Sequence, residues 1–406
     1  MLAAALLFAA AASTPVDARV EWLAANAVHV RTLDPRDDDF ADLEPLRKTL
    51  GRARVVMLGE QNHGDGTTFL AKTRLIRFLH EKMGFDVLVF ESGLYDCAKA
   101  WEHLQSGESA AVAVPRGVFR VWTISREVQP LIDYLGREAK GAHPLELAGE
   151  DCQLTGTASK DFLVADLHAQ GFADERVERF LPKLIDGTWE SETATLPPAE
   201  ERAAFAKTIA RWRAAAKTAF WRQVIESIGV FAESEWTGVS DSHGSSALRD
   251  AQMGKNLVWL ARERYPKRKI IVWAATFHNA RNVRTIETSD AKLRHFYTTD
   301  APAGETAKNA LGDELYSLGV TSYEGEYAFA FAKSAKPLPP PSAGSLEDLF
   351  VRAGLENAIV DFHRAPRWLR APMTSQIVSP LELRADWTRI VDGVLFIRRM
   401  DRSHKE

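Results

Sequence analysis

Two cysteines in 406 residues, Cys97 and Cys152, are too few for a metal framework or a disulfide scaffold. They admit either one disulfide or two buried thiols. A surplus of positive charge is also missing: 51 Lys and Arg stand against 55 Asp and Glu, a formal net charge of −4. Phosphate backbones are held by a basic surplus, so nucleic acid is not the expected partner. After the first dozen residues no apolar run approaches the ~20 residues of a membrane-spanning helix, and no span is expected. No serine sits in a Gly-x-Ser-x-Gly elbow, and Cys152 is the only cysteine near a candidate loop, so a covalent nucleophile is not indicated. What remains is an ordinary globular composition, 46% hydrophobic and 26% charged, long enough for a large core.

Met1 to Ala12 (MLAAALLFAAAA) is apolar, too short to span a bilayer, and followed by Ser13-Thr14-Pro15. Small residues stand where a signal peptidase cuts, although a positive n-region is absent. Residues 1–19 therefore read as a signal peptide and leader of a periplasmic or secreted protein. The alternative is an Ala-rich helical extension of a cytoplasmic one.

From Val20 to residue 406 the chain reads as one α/β domain. Arg54 to Leu58 (RVVML) is a buried strand that stops at Gly59. Phe69, Leu70, Leu75, Ile76, Phe78, Leu79 and Met83 recur at helical steps, and Gly84 is placed as a C-cap. Phe85 to Phe90 (FDVLVF) is the next strand, completing a strand–helix–strand unit of parallel type. A helix is expected over Val128–Leu135, and a strand over Leu145–Ala148. Residues 157–236, rich in Ala, Glu, Arg and Lys, read as two or three long helices inserted into the sheet and capping its cleft. A loop over Gly238–Ser246, a helix over Ala247–Arg264 and a strand over Lys269–Ala274 follow. Tyr327–Phe331 and Val394–Ile397 are later strands, and Lys336–Ser342 is a surface loop. This alternation predicts a mostly parallel sheet flanked by helices, with ligands at the carboxyl ends of the strands.

Those ends are polar. The first strand runs into Gly59-Glu60-Gln61-Asn62-His63-Gly64, the second into Glu91-Ser92-Gly93. The third runs into Gly149-Glu150-Asp151-Cys152-Gln153, and Lys269–Ala274 into Ala275-Thr276-Phe277-His278-Asn279. In parallel order these runs bring Glu60, Glu91, His63, His278 and Asp151 to one rim. A neutral histidine beside a carboxylate is a general base, and neighbouring carboxylates push one pKa upward. Direct activation of water is the chemistry left once a covalent nucleophile is set aside. Glu60-x-x-His63 also has the spacing of a metal pair, but those pairs lie on helices facing a bundle core, whereas this one follows a strand beside glycines. Lys72, early in the helix after the His63 loop, stays near the rim. Arg249-Asp250 opens a helix from which a guanidinium can hold a carboxylate or an oxyanion.

Together these motifs resemble the erythromycin esterase family. The similarity runs from Val55 to Gly319 through Leu58-Gly59-Glu60-x-x-His63-Gly64 and Gly84-Phe85 leading to Phe90-Glu91. It continues through Gly149-x-Asp151-x-Gln153, Arg249-Asp250-x-x-Met253-x-x-Asn256, Trp273-Ala274-x-x-x-His278 and Leu311-Gly312-x-x-Leu315-Tyr316. The resemblance implies an α/β core with helical insertions over a deep cleft, and hydrolysis of a macrolide lactone by activated water without a required metal. It implies His63 as general base, Glu60 and Glu91 positioning it and the water, and His278 and Arg249 assisting at the opened ester. Lys72 and Asp151 are assigned to substrate binding. Two positions depart from the family pattern. Lys72 stands where Arg is common, and Ala275 and Thr276 replace the first His and the Asn of Trp-Ala-His-Asn-x-His. The expected partner is thus a small-molecule ester or lactone, and no cofactor or bound metal is expected. The competing readings are a metal-dependent hydrolase of phosphate or peptide bonds and a non-catalytic binding protein on the same scaffold.

Overall fold

The computed structural model describes residues 15–187, 195–299, 301–330 and 332–405. Its strands are β1 (Val28–His29), β2 (Val55–Leu58), β3 (Val87–Gly93), β4 (Glu146–Asp151), β5 (Ile270–Trp273) and β6 (Leu315–Tyr327). They continue with β7 (Lys336–Pro337), β8 (Asn357–Asp361), β9 (Met373–Ser375), β10 (Leu383–Ala385) and β11 (Gly393–Met400). The main sheet has the order β1-β8-β11-β6-β2-β5-β3-β4, with β7 pairing the end of β6, and β9 and β10 form a separate pair. From β11 to β4 all neighbours are parallel, while β8 and β1 close one edge antiparallel. The sheet is mostly parallel, as its alternating segments predict.

Every residue of β2, β3 and β5 is buried, because helices cover both faces of an inner parallel strand. Alternate side chains then enter two cores. Val56, Leu58, Leu88, Phe90, Ile271 and Trp273 pack with Phe69, Ile76 and Phe78 of the helix Gly66–Met83. Val55, Met57, Val87, Val89, Ile270 and Val272 pack with Leu163, Phe180, Phe205 and Phe231. The helix Gly66–Met83 ends at Gly84, whose φ of +72° suits glycine, and whose N–H donates to Leu79 O. β5 lies between β2 and β3, so the first crossover skips a strand supplied some 180 residues later in sequence.

The stretch 157–236 forms four helices among the described residues rather than two or three: Thr157–Ala169, Glu175–Ile185, Ala199–Ala215 and Ala219–Gly238. The additional breaks fall at Gly171, with φ +84°, and at Ala216–Thr218, where Thr218 caps Trp221 N. Phe205 and Trp212 are core, Phe220 and Trp221 pack partly buried against it, and Trp189 lies outside the described residues. The insertion thus covers one sheet face. It reaches the site rim through the helix Ser242–Trp259: Gln223 Nε2 donates to Asn256 Oδ1 at 2.6 Å, and Asn256 Nδ2 to Glu150 O at 2.8 Å.

Other segments differ from expectation. Ser242–Ser246 are helical rather than loop, because Asp241 caps Gly244 N, and the far end of this helix widens into a π turn at Leu260–Arg264. The strand expected over Tyr327–Phe331 ends at Tyr327 and begins twelve residues earlier, with Phe331 outside the described residues. Cys97 and Cys152 are free buried thiols, with no bridge between them. Residues 1–14 of the expected leader lie outside the described residues, while Pro15–Asn26 is a helix that places Leu23 in the core. Among the described residues no helix is long and apolar enough to cross a membrane. The C-terminal stretch supplies β8 and β11 and then a strap. Ser403 N bonds Gly64 O at 2.7 Å, Thr67 N bonds Asp401 O at 3.2 Å, and Arg126 N bonds His404 O at 2.8 Å. His404 Nδ1 lies 2.9 Å from Glu127 Oε1, so the strap ties together the loops after β2 and around Ser125.

Candidate active site

The loop after β2 is pressed between its neighbours, and two glycines permit this. A Cβ on Gly59 would lie 2.3 Å from Thr276 Oγ1, and one on Gly64 only 1.7 Å from Ala328 O. Glu60 is thereby fully buried and His63 left at the mouth, its side chain 20% exposed.

Glu60 is saturated with donors. His63 Nδ1 lies 2.9 Å from its Oε1, Trp122 Nε1 donates to the same oxygen at 2.8 Å, and Lys72 Nζ donates to Oε2 at 2.7 Å. Burial opposes ionisation of Glu60, but Lys72 and His63 outweigh it and hold its carboxyl below the usual range. Three donors on one carboxylate assign the proton of His63 to Nδ1 and leave Nε2 as an acceptor. The His63 ring meets Trp122 edge-on, with centroids 5.2 Å apart, and Phe329 at 5.8 Å.

Glu91 is the hub of the other half. Its Oε1 is 3.8 Å from His63 Nε2, 3.2 Å from His278 Nε2 and 3.0 Å from Arg249 Nη2; its Oε2 accepts Ala275 N at 2.9 Å. Burial again works against its charge, yet His278, His63 and Arg249 hold its carboxyl well below the usual range. His278 Nδ1 sits 2.7 Å from Asp250 Oδ1, so this ring has a carboxylate on each nitrogen. Burial disfavours its charge, but Asp250 and Glu91 prevail and raise its pKa well above that of a free histidine. The two carboxylates favour the charged form of His278.

Glu60, His63, Glu91 and His278 thus meet at one mouth from the strand ends, and Arg249 joins them from the helix Ser242–Trp259. Asp151 and Lys72 do not face it as substrate-binding groups. Asp151 is fully buried and takes Arg249 Nε and Nη2 at 3.0 and 2.6 Å; Lys72 is buried beneath Glu60 with its ammonium 4.0 Å from the Trp273 ring centroid. Both serve the charged groups above them. Two participants have no assigned role in the sequence reading, Trp122 and Asp250. Asp250 was visible beside Arg249; nothing in the order of residues marks Trp122. Glu150 is fully buried with both carboxylate oxygens unpartnered, and burial together with Glu91 and Asp151 pushes its pKa well up. Glu60 and His63 spend their donor set on each other rather than converging on a shared point, and among the described residues no cluster of three or more His, Cys, Asp or Glu is arranged to hold a metal ion.

Acid, base and cation gathered at the carboxyl ends of a parallel sheet are the setting in which α/β enzymes work, and the class here is a hydrolase. The chain is 26% identical to the Bacillus subtilis (strain 168) protein named "Putative hydrolase YbfO", over 92% of its own length and 90% of the relative's. It belongs to the erythromycin esterase family, whose profile matches residues 80–399, beginning after the loop that carries Glu60 and His63. Erythromycin esterase type II of Escherichia coli is 25% identical, over 93% of this chain and 97% of that one. Among solved structures, a succinoglycan biosynthesis protein superposes with a TM-score of 0.80 at 18% identity, covering 98% of this chain and all of the other. An erythromycin esterase mutant in its open conformation does so at 0.67 and 18% identity, covering 92% and 97%. At these identities the structural likeness is one of fold.

Proposed function

We propose that the chain hydrolyses a carboxylic ester or lactone, with His63 drawing a proton from water. The observation that carries this reading is the two-sided setting of the His63 ring, Nδ1 bound to Glu60 and Nε2 opposite Glu91 Oε1 at 3.8 Å. Two acceptors face each other there, and a water about 2.8 Å from both donates one hydrogen to each. As the water oxygen attacks an ester carbonyl, one proton passes to Nε2, and Glu60 steadies the imidazolium. That proton then leaves with the alkoxide as an alcohol, and the carboxylic acid that remains releases water's second proton to solvent and becomes a carboxylate.

The developing oxyanion needs a donor. Both His278 nitrogens are engaged by Asp250 and Glu91, and Arg249 Nε and Nη2 by Asp151 and Glu91. Arg249 Nη1 has no partner among the described residues, so the oxyanion falls to Arg249, while His278 fixes the charge of Glu91. The departures at Ala275 and Thr276 cost this arrangement little. Ala275 contributes its backbone N–H to Glu91, and Thr276 is buried against Gly59.

The test is turnover of aryl esters, lactones and macrolides by chelator-treated protein. Wild type is expected to turn over at least one of them, and His63→Ala to lose about 10³-fold in kcat with its melting temperature little changed. Turnover that disappears with the chelator, or an unimpaired His63→Ala, would sink the proposal.

A further inference from the structure

A cavity of about 460 Å³ opens at the opposite end of the sheet from the candidate active site, where β2 and β6 begin and β8 ends. At ~3.3 Å per residue, the stretch from Ala53 to Glu60 separates it from the candidate active site by roughly 20 Å. Its floor is apolar and buried, made by Leu46, Leu315 and Ile359, and the partly buried Trp22 ring forms one wall.

The rim is cationic. The side chains of Lys48, Arg52 and Arg364 line the cavity with no ion pair or hydrogen bond among the described residues. Guanidiniums close by are spent: Arg54 on Glu314, and Arg281 on Asp392. The acids at the cavity are largely spent too. Asp361 accepts from His363 Nδ1 at 2.9 Å and from Tyr316 Oη at 3.3 Å, which leaves Asp313 as the uncommitted carboxylate. Three exposed cations without an ion-pair partner against one free acid, above the buried Leu46, Leu315 and Ile359 and beside the Trp22 ring, form an amphipathic receptor.

We propose that this cavity binds an organic anion, a carboxylate or phosphate monoester carried on an apolar or aromatic body. Arg52 and Arg364 present planar forks that match two oxygens of such a head group, and Lys48 adds a point charge. The body lies on Leu46, Leu315 and Ile359 beside Trp22. The volume suits a small organic molecule better than a bare ion.

Isothermal titration of the full chain with phenyl phosphate, benzoate, inorganic phosphate and benzyl alcohol tests this. Saturable binding of phenyl phosphate or benzoate is expected, weakening as salt rises, with inorganic phosphate much weaker and benzyl alcohol silent. Whichever aryl anion binds tighter identifies the head group. The double variant Arg52→Glu/Arg364→Glu should weaken that binding by about tenfold or more, 1.4 kcal/mol, at an unchanged melting temperature, and His63→Ala should leave it intact. The proposal is overturned if neither aryl anion saturates, if the double variant binds as wild type does, or if His63→Ala abolishes binding and so moves it to the other site.

Discussion

Two histidines follow two adjacent parallel strands, β2 and β5, and meet the same carboxylate, yet they are different chemical objects. His63 has one carboxylate at hydrogen-bond distance and an open nitrogen at a solvent-reached mouth; His278 has a carboxylate on each nitrogen and is buried. The first has a nitrogen open to a proton, and the second is held toward its charged form by Asp250 and Glu91. The difference lies in distance and burial rather than in the residue type: Glu91 Oε1 stands 3.8 Å from His63 Nε2 but 3.2 Å from the more deeply buried His278 Nε2.

Removing each ring in turn sharpens that contrast. The largest effect on stability is expected from His278→Gln, which leaves Asp250 and Glu91 buried without their shared cation and costs about 3–5 kcal/mol. His63→Gln, at the exposed mouth, should cost far less, so equal losses in denaturant unfolding would break the comparison. Glu60→Gln comes next. It removes the charge that steadies the His63 imidazolium and should lower kcat by about 10²-fold with KM little altered in steady-state assays. The pH dependence follows in size. Glu91 is depressed, so the stability it contributes is present above the ordinary carboxylate range and lost as pH falls through its lowered value. His278 is raised, so its contribution is complete below the ordinary histidine range and lost as pH rises through its raised value. The alkaline decline in melting temperature should therefore flatten in His278→Gln, and the acid decline should shrink with it, because His278 leads the groups that depress Glu91. The smallest change is expected from Glu150→Gln. The raised pKa of Glu150 makes it a cost that grows as pH climbs above the ordinary carboxylate range, so the variant should gain more in melting temperature at pH 8 than at pH 4.

The sequence shows the inner strands best where burial on both faces makes their code continuous. RVVML, FDVLVF and KIIVWA became β2, β3 and β5, and their terminal loops delivered Glu60, His63, Glu91 and His278. The first twelve residues of β6 were not expected as strand because its buried positions include Ser317, Thr321 and Ser322, small polar residues that weaken an apolar pattern. Ser317 is matched by Asp392 and Thr321 by Glu347, partners that come from distant chain. Lys72 was placed near the rim, but helical spacing gives no depth, and only the packing of its ammonium under Glu60 and over Trp273 turns it from a substrate contact into a support. Trp122 was beyond reach for the same reason. Its indole meets Glu60 across 62 residues, and no local pattern records that meeting.

The strap at Asp401–Lys405 gives the His63 loop a dependence in time. Residues 59–65 leave the ribosome early, but the groups that bond Gly64 and Thr67 are made more than three hundred residues later. Until β11 has docked on β6 and drawn those residues into place, Gly64 O and Thr67 N lack their partners, so the contacts that hold the His63 loop depend on the last part of the chain. The loop that carries Glu60 and His63 should then be completed only together with the sheet.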